Sequence, residues 1–144
     1  MTGKETQEDG TYHFPEGIPA FEERTRFRLL RDPALEPLLF LASAEDEGLR
    51  FICVPAVLLE RDYEFEIDET AARVLGVAPG TCRADGEELL CLAIIHAPES
   101  EPPCANLMAP VLIHGVNRVG LQAVQVASRW SCAHRIGPVE EQPC

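Results

Sequence analysis

The chain has 144 residues, the size of one domain, and a hydrophobic fraction of 46%, enough for a real core without disulfides or metal. Twelve basic residues face twenty-four acidic ones, a formal net charge of -12. A field of that sign disfavours direct nucleic-acid binding and anionic membrane surfaces, and it favours encounter with a basic protein partner.

Residues 1–10 (MTGKETQEDG) are polar and charged and read as disordered. They carry no apolar signal region, and no run in the chain has transmembrane length, so a cytoplasmic location is expected. Phe14-Pro-Glu-Gly-Ile-Pro-Ala-Phe21 places two prolines and a glycine between apolar anchors, the pattern of an ordered turn. Arg26 to Arg31 alternates, with Phe27 and Leu29 on one side and Arg26 and Arg28 on the other, which predicts a half-buried strand. Leu38 to Ala42 and Leu49 to Val54 follow as strands, separated by the acidic turn Glu45–Gly48. Asp62 to Asp68 alternates strictly: Tyr63, Phe65 and Ile67 face inward, and Asp62, Glu64, Glu66 and Asp68 outward.

Residues 70–76 (TAARVLG) predict a short helix capped by Asp68 and ended by Gly76. Pro79, Gly80, Asp85 and Gly86 mark loops. Leu89 to Ile95 is nearly all apolar and predicts a central strand buried on both faces. Residues 98–104 (PESEPPC) form a rigid acidic loop. Val111 to Ile113 and Val119 to Val126 predict two strands around Gly115-Val116-Asn117. The fold class is all-β, a compact antiparallel barrel-like domain with at most one or two short helical turns. The expected organisation is a disordered segment 1–10, one β domain over 11–137 and a flexible tail over 138–144.

No catalytic site is expected. His13, His96, His114 and His134 have no regular metal-ligand spacing, and no CxxC pair occurs among the six cysteines, so neither a metal nor a cofactor is implied. Without an export signal the thiols are expected to be free. Cys53 and Cys91 sit in apolar runs, where a thiol behaves as a small hydrophobe. Cys82 and Cys91 flank a loop that could bring them together, and Cys132 with His134 forms a conceivable pair, but catalytic pairs are defined by geometry. The row Asp62, Glu64, Glu66 reads first as a solvated face and second as an acidic strip for a basic partner.

Four segments, in order, resemble the bacterial flagellar assembly factor FliW family. They are Phe14-Pro-Glu-Gly-Ile-Pro-Ala-Phe21, with Ala20 where the family usually has glycine; Phe51-Ile-Cys-Val-Pro followed by Asp62-Tyr63-Glu64-Phe65-Glu66; Asn106-Leu107-Met108-Ala109-Pro110-Val111-Leu112-Ile113, continued by His114 where asparagine is common; and Gln122 followed by Trp130-Ser131, where the aromatic is usually tyrosine. The likeness spans roughly residues 12–136. An arginine usual beside His134 is Ala133 here. The resemblance implies a β-barrel-like fold and a partner switch. Such proteins bind the translational repressor CsrA, a small basic RNA-binding dimer, and also bind flagellin, which competes; release from flagellin lets them relieve repression of flagellin synthesis.

Within that frame Asp62, Glu64 and Glu66 are the candidate contacts for CsrA, with Glu45–Glu47 and Glu99–Glu101 as rivals. Asn106, Leu107 and Met108 are further candidate partner contacts. Phe14, Pro15, Gly17, Pro19, Phe21, Tyr63, Phe65 and Pro110 are assigned to structure. An acidic site needs several carboxylates and an apolar centre, because single exposed pairs contribute only a few tenths to about 1 kcal/mol. A monomer is expected. The alternative is a generic protein-binding β adaptor that keeps the fold and not these partners.

Overall fold

A computed structural model describes residues 7–125, 131 and 133–136. Among them are ten strands: β1 (Gln7–His13), β2 (Arg26–Arg31), β3 (Leu39–Ser43), β4 (Arg50–Pro55), β5 (Glu64–Ile67), β6 (Gly80–Arg83), β7 (Leu89–His96), β8 (Cys104–His114), β9 (Val119–Gln122) and β10 (His134–Arg135). One helix, α1 (Glu69–Leu75), and two 3-10 turns, Pro33–Leu35 and Ala56–Leu58, complete the described structure.

Seven strands close into a barrel in the order β8-β7-β4-β3-β2-β1-β9, with β9 returning to β8. All pairings in the wall are antiparallel except β1 with β9, which meet in parallel at His13 and Val119. The first turn motif makes this closure possible. Phe14 is fully buried, edge-on to Phe27 at 5.2 Å. It rests against Gly120, where a Cβ would stand 2.5 Å from the ring. Only a residue without a side chain lets the β1–β2 connection lie this close to β9.

Strand alternation sorts the apolar residues into two cores. Phe27, Leu29, Leu39, Leu41, Cys53, Leu92, Val111 and Ile113 fill the barrel with Tyr12, Phe14 and Ile18. The second core lies outside the wall, where β5, α1 and β6 form a cap over β7, β8 and β9. Tyr63, Phe65, Ile67, Ala71 and Leu75 pack there against Cys91, Ala93, Leu107, Leu112 and Leu121. This is why Leu89–Ile95 is apolar throughout: Leu92 enters the barrel while its neighbours Cys91 and Ala93 meet the cap.

Helix α1 follows the expected capping. Asp68 Oδ1 accepts from the Ala71 amide at 2.8 Å, and Gly76 ends the helix at φ 78, a left-handed conformation that costs glycine little. Three expectations change. Gly80–Arg83, read as loop, is strand β6, paired with β5 from Glu64–Arg83 to Ile67–Gly80. Strand β8 begins at Cys104, so the acidic loop is shorter than expected and Asn106–Ala109 lies inside a strand. Strand β1 begins at Gln7, inside the segment 1–10 whose composition reads as disordered, because it pairs with β2 and closes the barrel. Residues 1–6 and the tail 138–144 lie outside the described residues.

Candidate functional site

The alternation of β5 divides it as the sequence predicts. Tyr63 and Phe65 are buried under the cap, and Asp62, Glu64 and Glu66 are exposed. The carboxylates are not a bare row. Arg83 on β6 stands opposite Glu64, reaches Asp62 at 3.9 Å, and holds Asp85 through two hydrogen bonds of 3.2 and 3.3 Å. The hydrogen bond from Arg83 draws the Asp85 carboxyl below its ordinary range, while Asp85 raises the guanidinium in turn. The Glu66 carboxylate accepts from the Thr81 hydroxyl. Three acids, Asp62, Glu64 and Asp85, thus gather around one guanidinium, Glu66 is held by Thr81 further along the strand, and the face keeps a negative surplus with a defined geometry.

Gln125 fixes this face to the barrel, a residue that the sequence reading passed over. Its Oε1 accepts the Glu66 amide at 2.7 Å, and its Nε2 donates to the Glu66 carbonyl at 3.2 Å. The side-chain amide takes the place of a neighbouring strand's peptide. Its own backbone N–H donates to the Met108 carbonyl at 2.8 Å. The visible signal was a lone amide between Val124 and Val126, an unusual residue for a buried edge unless its polar groups are paired.

Glu16, Glu66 and Asp68 rim a cavity of about 180 Å³ whose wall also includes Thr70, Gln122 and Val124. Val124, on that wall, is 59% exposed, so apolar surface adjoins these carboxylates, and Met108 is 37% exposed. The other candidates separate clearly. Leu107 is fully buried, and its carbonyl accepts from the Tyr63 hydroxyl, so it presents no surface to a partner. Asn106 spends its Oδ1 on the Met108 and Ala109 amides, at 3.0 and 3.1 Å, in the irregular stretch of β8 before the buried Pro110. The structural motif residues divide too. Phe14 and Gly17 are buried, Pro15 and Pro19 are exposed, and Phe21 is 40% exposed against Phe51.

Of the rival acidic segments, Glu45 is engaged by Arg26 and the Thr25 amide, and Asp46 by Arg24, which ties that turn to the barrel end. Glu99 and Glu101 are exposed on their loop.

Among the described residues no side chains are arranged as a catalytic group. Among the described residues no group of three His, Cys, Asp or Glu could hold a metal ion. Cys53, Cys82, Cys91 and Cys104 are free thiols. Burial pushes Cys53 up to about 12, and burial together with the neighbouring Cys82 raises Cys91 further, so neither is a nucleophile near neutrality. The Cys132–His134 pair lies partly outside the described residues; His134 Nε2 is 3.6 Å from Glu60. Among the described residues no helix is long and apolar enough to cross a membrane.

Comparison with known proteins converges on one family. The family model described as FliW protein matches residues 1–136. The chain is similar to the flagellar assembly factor FliW of Caldanaerobacter subterraneus, 32% identical over 90% of this chain and 83% of the relative. It is also similar to that of Bacillus licheniformis, 32% identical over 96% and 91%, and to that of Bacillus subtilis, 31% identical over 86% and 83%. A crystal structure of the flagellar assembly factor FliW superposes with a TM-score of 0.76 at 25% identity, covering 95% of this chain and 91% of the other. With the same barrel and a matching family model across most of its length, the chain belongs to the FliW family.

Proposed function

We propose that this protein is a cytoplasmic, monomeric flagellar assembly factor that works as a partner switch. It binds the translational regulator CsrA through the acidic face of β5 and β6, binds flagellin in competition with CsrA, and relieves repression of flagellin translation when flagellin leaves. The observation that carries this reading is the row Asp62, Glu64 and Glu66 held outward by the cap, with exposed Val124 on the same cavity rim as Glu66. A basic partner finds there both the charge that steers encounter and the apolar area that gives a contact its lasting affinity.

On this reading the three carboxylates have unequal roles. Asp62 and Glu64 project from a strand whose backbone is pinned by Gln125 and whose inner side is anchored by Tyr63 and Phe65, so they are presented on a rigid support. Glu66 is divided between Thr81 and the cavity rim. Arg83 keeps the carboxylates at fixed spacing, and a partner's arginine or lysine displaces or joins it.

The test is calorimetry of the purified protein with CsrA at low and moderate salt, with flagellin as competitor. Binding that salt weakens and flagellin displaces supports the switch. Absence of binding at either salt leaves the generic adaptor reading, in which the family fold is kept without these partners.

A further inference from the structure

The cap covers one side of the barrel, over β7, β8 and β9. Among the described residues nothing packs over the opposite wall, β2, β3 and β4, and its outer face is not built like a solvated surface. Leu30 pairs with Phe40, and Phe40 with Ile52, in one cross-strand row. Leu29, Leu41 and Cys53, adjacent along the strands, fill the barrel, so this row points outward. None of the three belongs to either apolar core. Ile52 is 38% exposed, and Leu30 and Phe40 are half-buried. One step along the same face lies a second row, Arg28, Ala42 and Arg50, with both arginines exposed. The Arg50 guanidinium sits over the Phe40 ring, 4.8 Å from its centroid. In a chain with twice as many acids as bases, an apolar stripe bordered by guanidiniums is a local reversal of character.

We propose that this wall is a second docking surface, and that its occupant is an amphipathic helix of a partner protein whose carboxylates flank an apolar stripe. The repeat distances fit. Adjacent strands stand about 4.8 Å apart, and one helical turn advances about 5.4 Å. A helix laid across the strands therefore sets one apolar residue per turn against Leu30, Phe40 and Ile52 in succession. Carboxylates on its flank then meet Arg28 and Arg50, where contact with the Phe40 ring already orients one guanidinium. A second copy of this chain is a poor occupant, because its matching rows bring two more arginines and no carboxylate to meet them. Anionic lipid and nucleic acid fit the arginines but meet the net charge of -12. The surface lies away from the acidic face of β5 and β6 and does not depend on what binds there.

The test uses fluorescence anisotropy with synthetic helical peptides of about 18 residues, or five turns. One carries a leucine stripe flanked by glutamates, and its match carries lysines in place of the glutamates. The glutamate peptide is expected to bind the full chain. Arg50→Glu and Ile52→Ser are each expected to weaken it about tenfold or more, while Asp62→Lys leaves it within about twofold. Both substituted positions are exposed, and a thermal melt of each variant establishes that the barrel is intact. The proposal is overturned if the glutamate peptide does not bind, if both peptides bind alike, or if intact variants bind as the wild type does. It is equally overturned if sedimentation shows a dimer that Ile52→Ser dissolves, or if phosphatidylglycerol vesicles bind this face in an Arg50-dependent way.

Discussion

The Tyr63 hydroxyl donates to the Leu107 carbonyl across the seam between the cap and the barrel, at 2.5 Å and with both residues fully buried. This bond connects the resemblance segments Asp62–Glu66 and Asn106–Ile113, which are far apart in sequence. It also explains a tyrosine where a phenylalanine would fill the same space: the ring supplies apolar area, and the hydroxyl satisfies a carbonyl that water cannot reach.

Tyr63→Phe is expected to destabilise the fold by about 1–2 kcal/mol, because the Leu107 carbonyl loses its partner while burial is kept. Urea denaturation measures this. Leu107→Ala is expected to cost more, about 2–5 kcal/mol, by opening a cavity under the cap. A Tyr63→Phe variant as stable as wild type would mean that the seam holds by packing alone.

Ala20 adopts φ 78, the left-handed region that disfavours any residue with a Cβ. Resemblance to the family leads one to expect glycine here, and the backbone supplies the reason. Ala20→Gly relieves about 1–2 kcal/mol of steric cost and returns about 0.4–1 kcal/mol through the freer unfolded chain. The expected net is a gain of a few tenths to about 1 kcal/mol, read as a melting temperature higher by a few degrees. An unchanged or lower melting temperature would contradict this.

Gln125→Ala removes the side-chain amide that pairs with both backbone groups of Glu66. A loss of about 1–3 kcal/mol is expected, together with faster hydrogen exchange at the Glu66 amide. Gln125→Glu is expected to be no better, since a carboxylate cannot donate to the Glu66 carbonyl and adds charge beside an acidic rim.

Cys53 ionises near 9.0 when unfolded and is pushed up to about 12 by burial in the barrel. The folded state therefore holds its proton more tightly. The resulting stability is fully present below about pH 9 and is lost as pH rises toward about 12. Burial raises Tyr63 and Cys91 too, and they contribute with the same sign. Denaturant unfolding is expected to show stability falling over this window, with a shallower fall in Cys53→Val. Site-resolved thiol labelling near neutrality is expected to modify the half-buried Cys82 and Cys104 well before Cys53 or Cys91.

Legibility in the sequence followed the strength of each local pattern. Arg26–Arg31 and Asp62–Asp68 alternate cleanly, and the structure places their faces as the alternation dictates. Helix α1 carried its own cap and stop in Asp68 and Gly76. Strand β6 was hidden, because Gly-Thr-Cys-Arg has no alternation and draws its order from pairing with β5. The two cores were not separable either. The apolar run of β7 shows burial on both faces but cannot say that one face meets a barrel interior and the other a cap. At the candidate site the carboxylates were legible and their setting was not. Arg83, Thr81 and Gln125 reach Asp62, Glu64 and Glu66 only through tertiary contacts.

In the proposed switch a basic regulator docks on the face of β5 and β6. The most direct test is calorimetry of CsrA with the double variant Asp62→Lys, Glu64→Lys, set beside a control that reverses Glu99 and Glu101 on the exposed loop. Both variants are expected to melt close to the wild type, since all four side chains are exposed. The account predicts that the strand double variant binds roughly tenfold or more weakly and loses most of its salt dependence, while the loop control stays within about twofold. Wild-type affinity in the strand double variant, or a loss confined to the loop control, would contradict it.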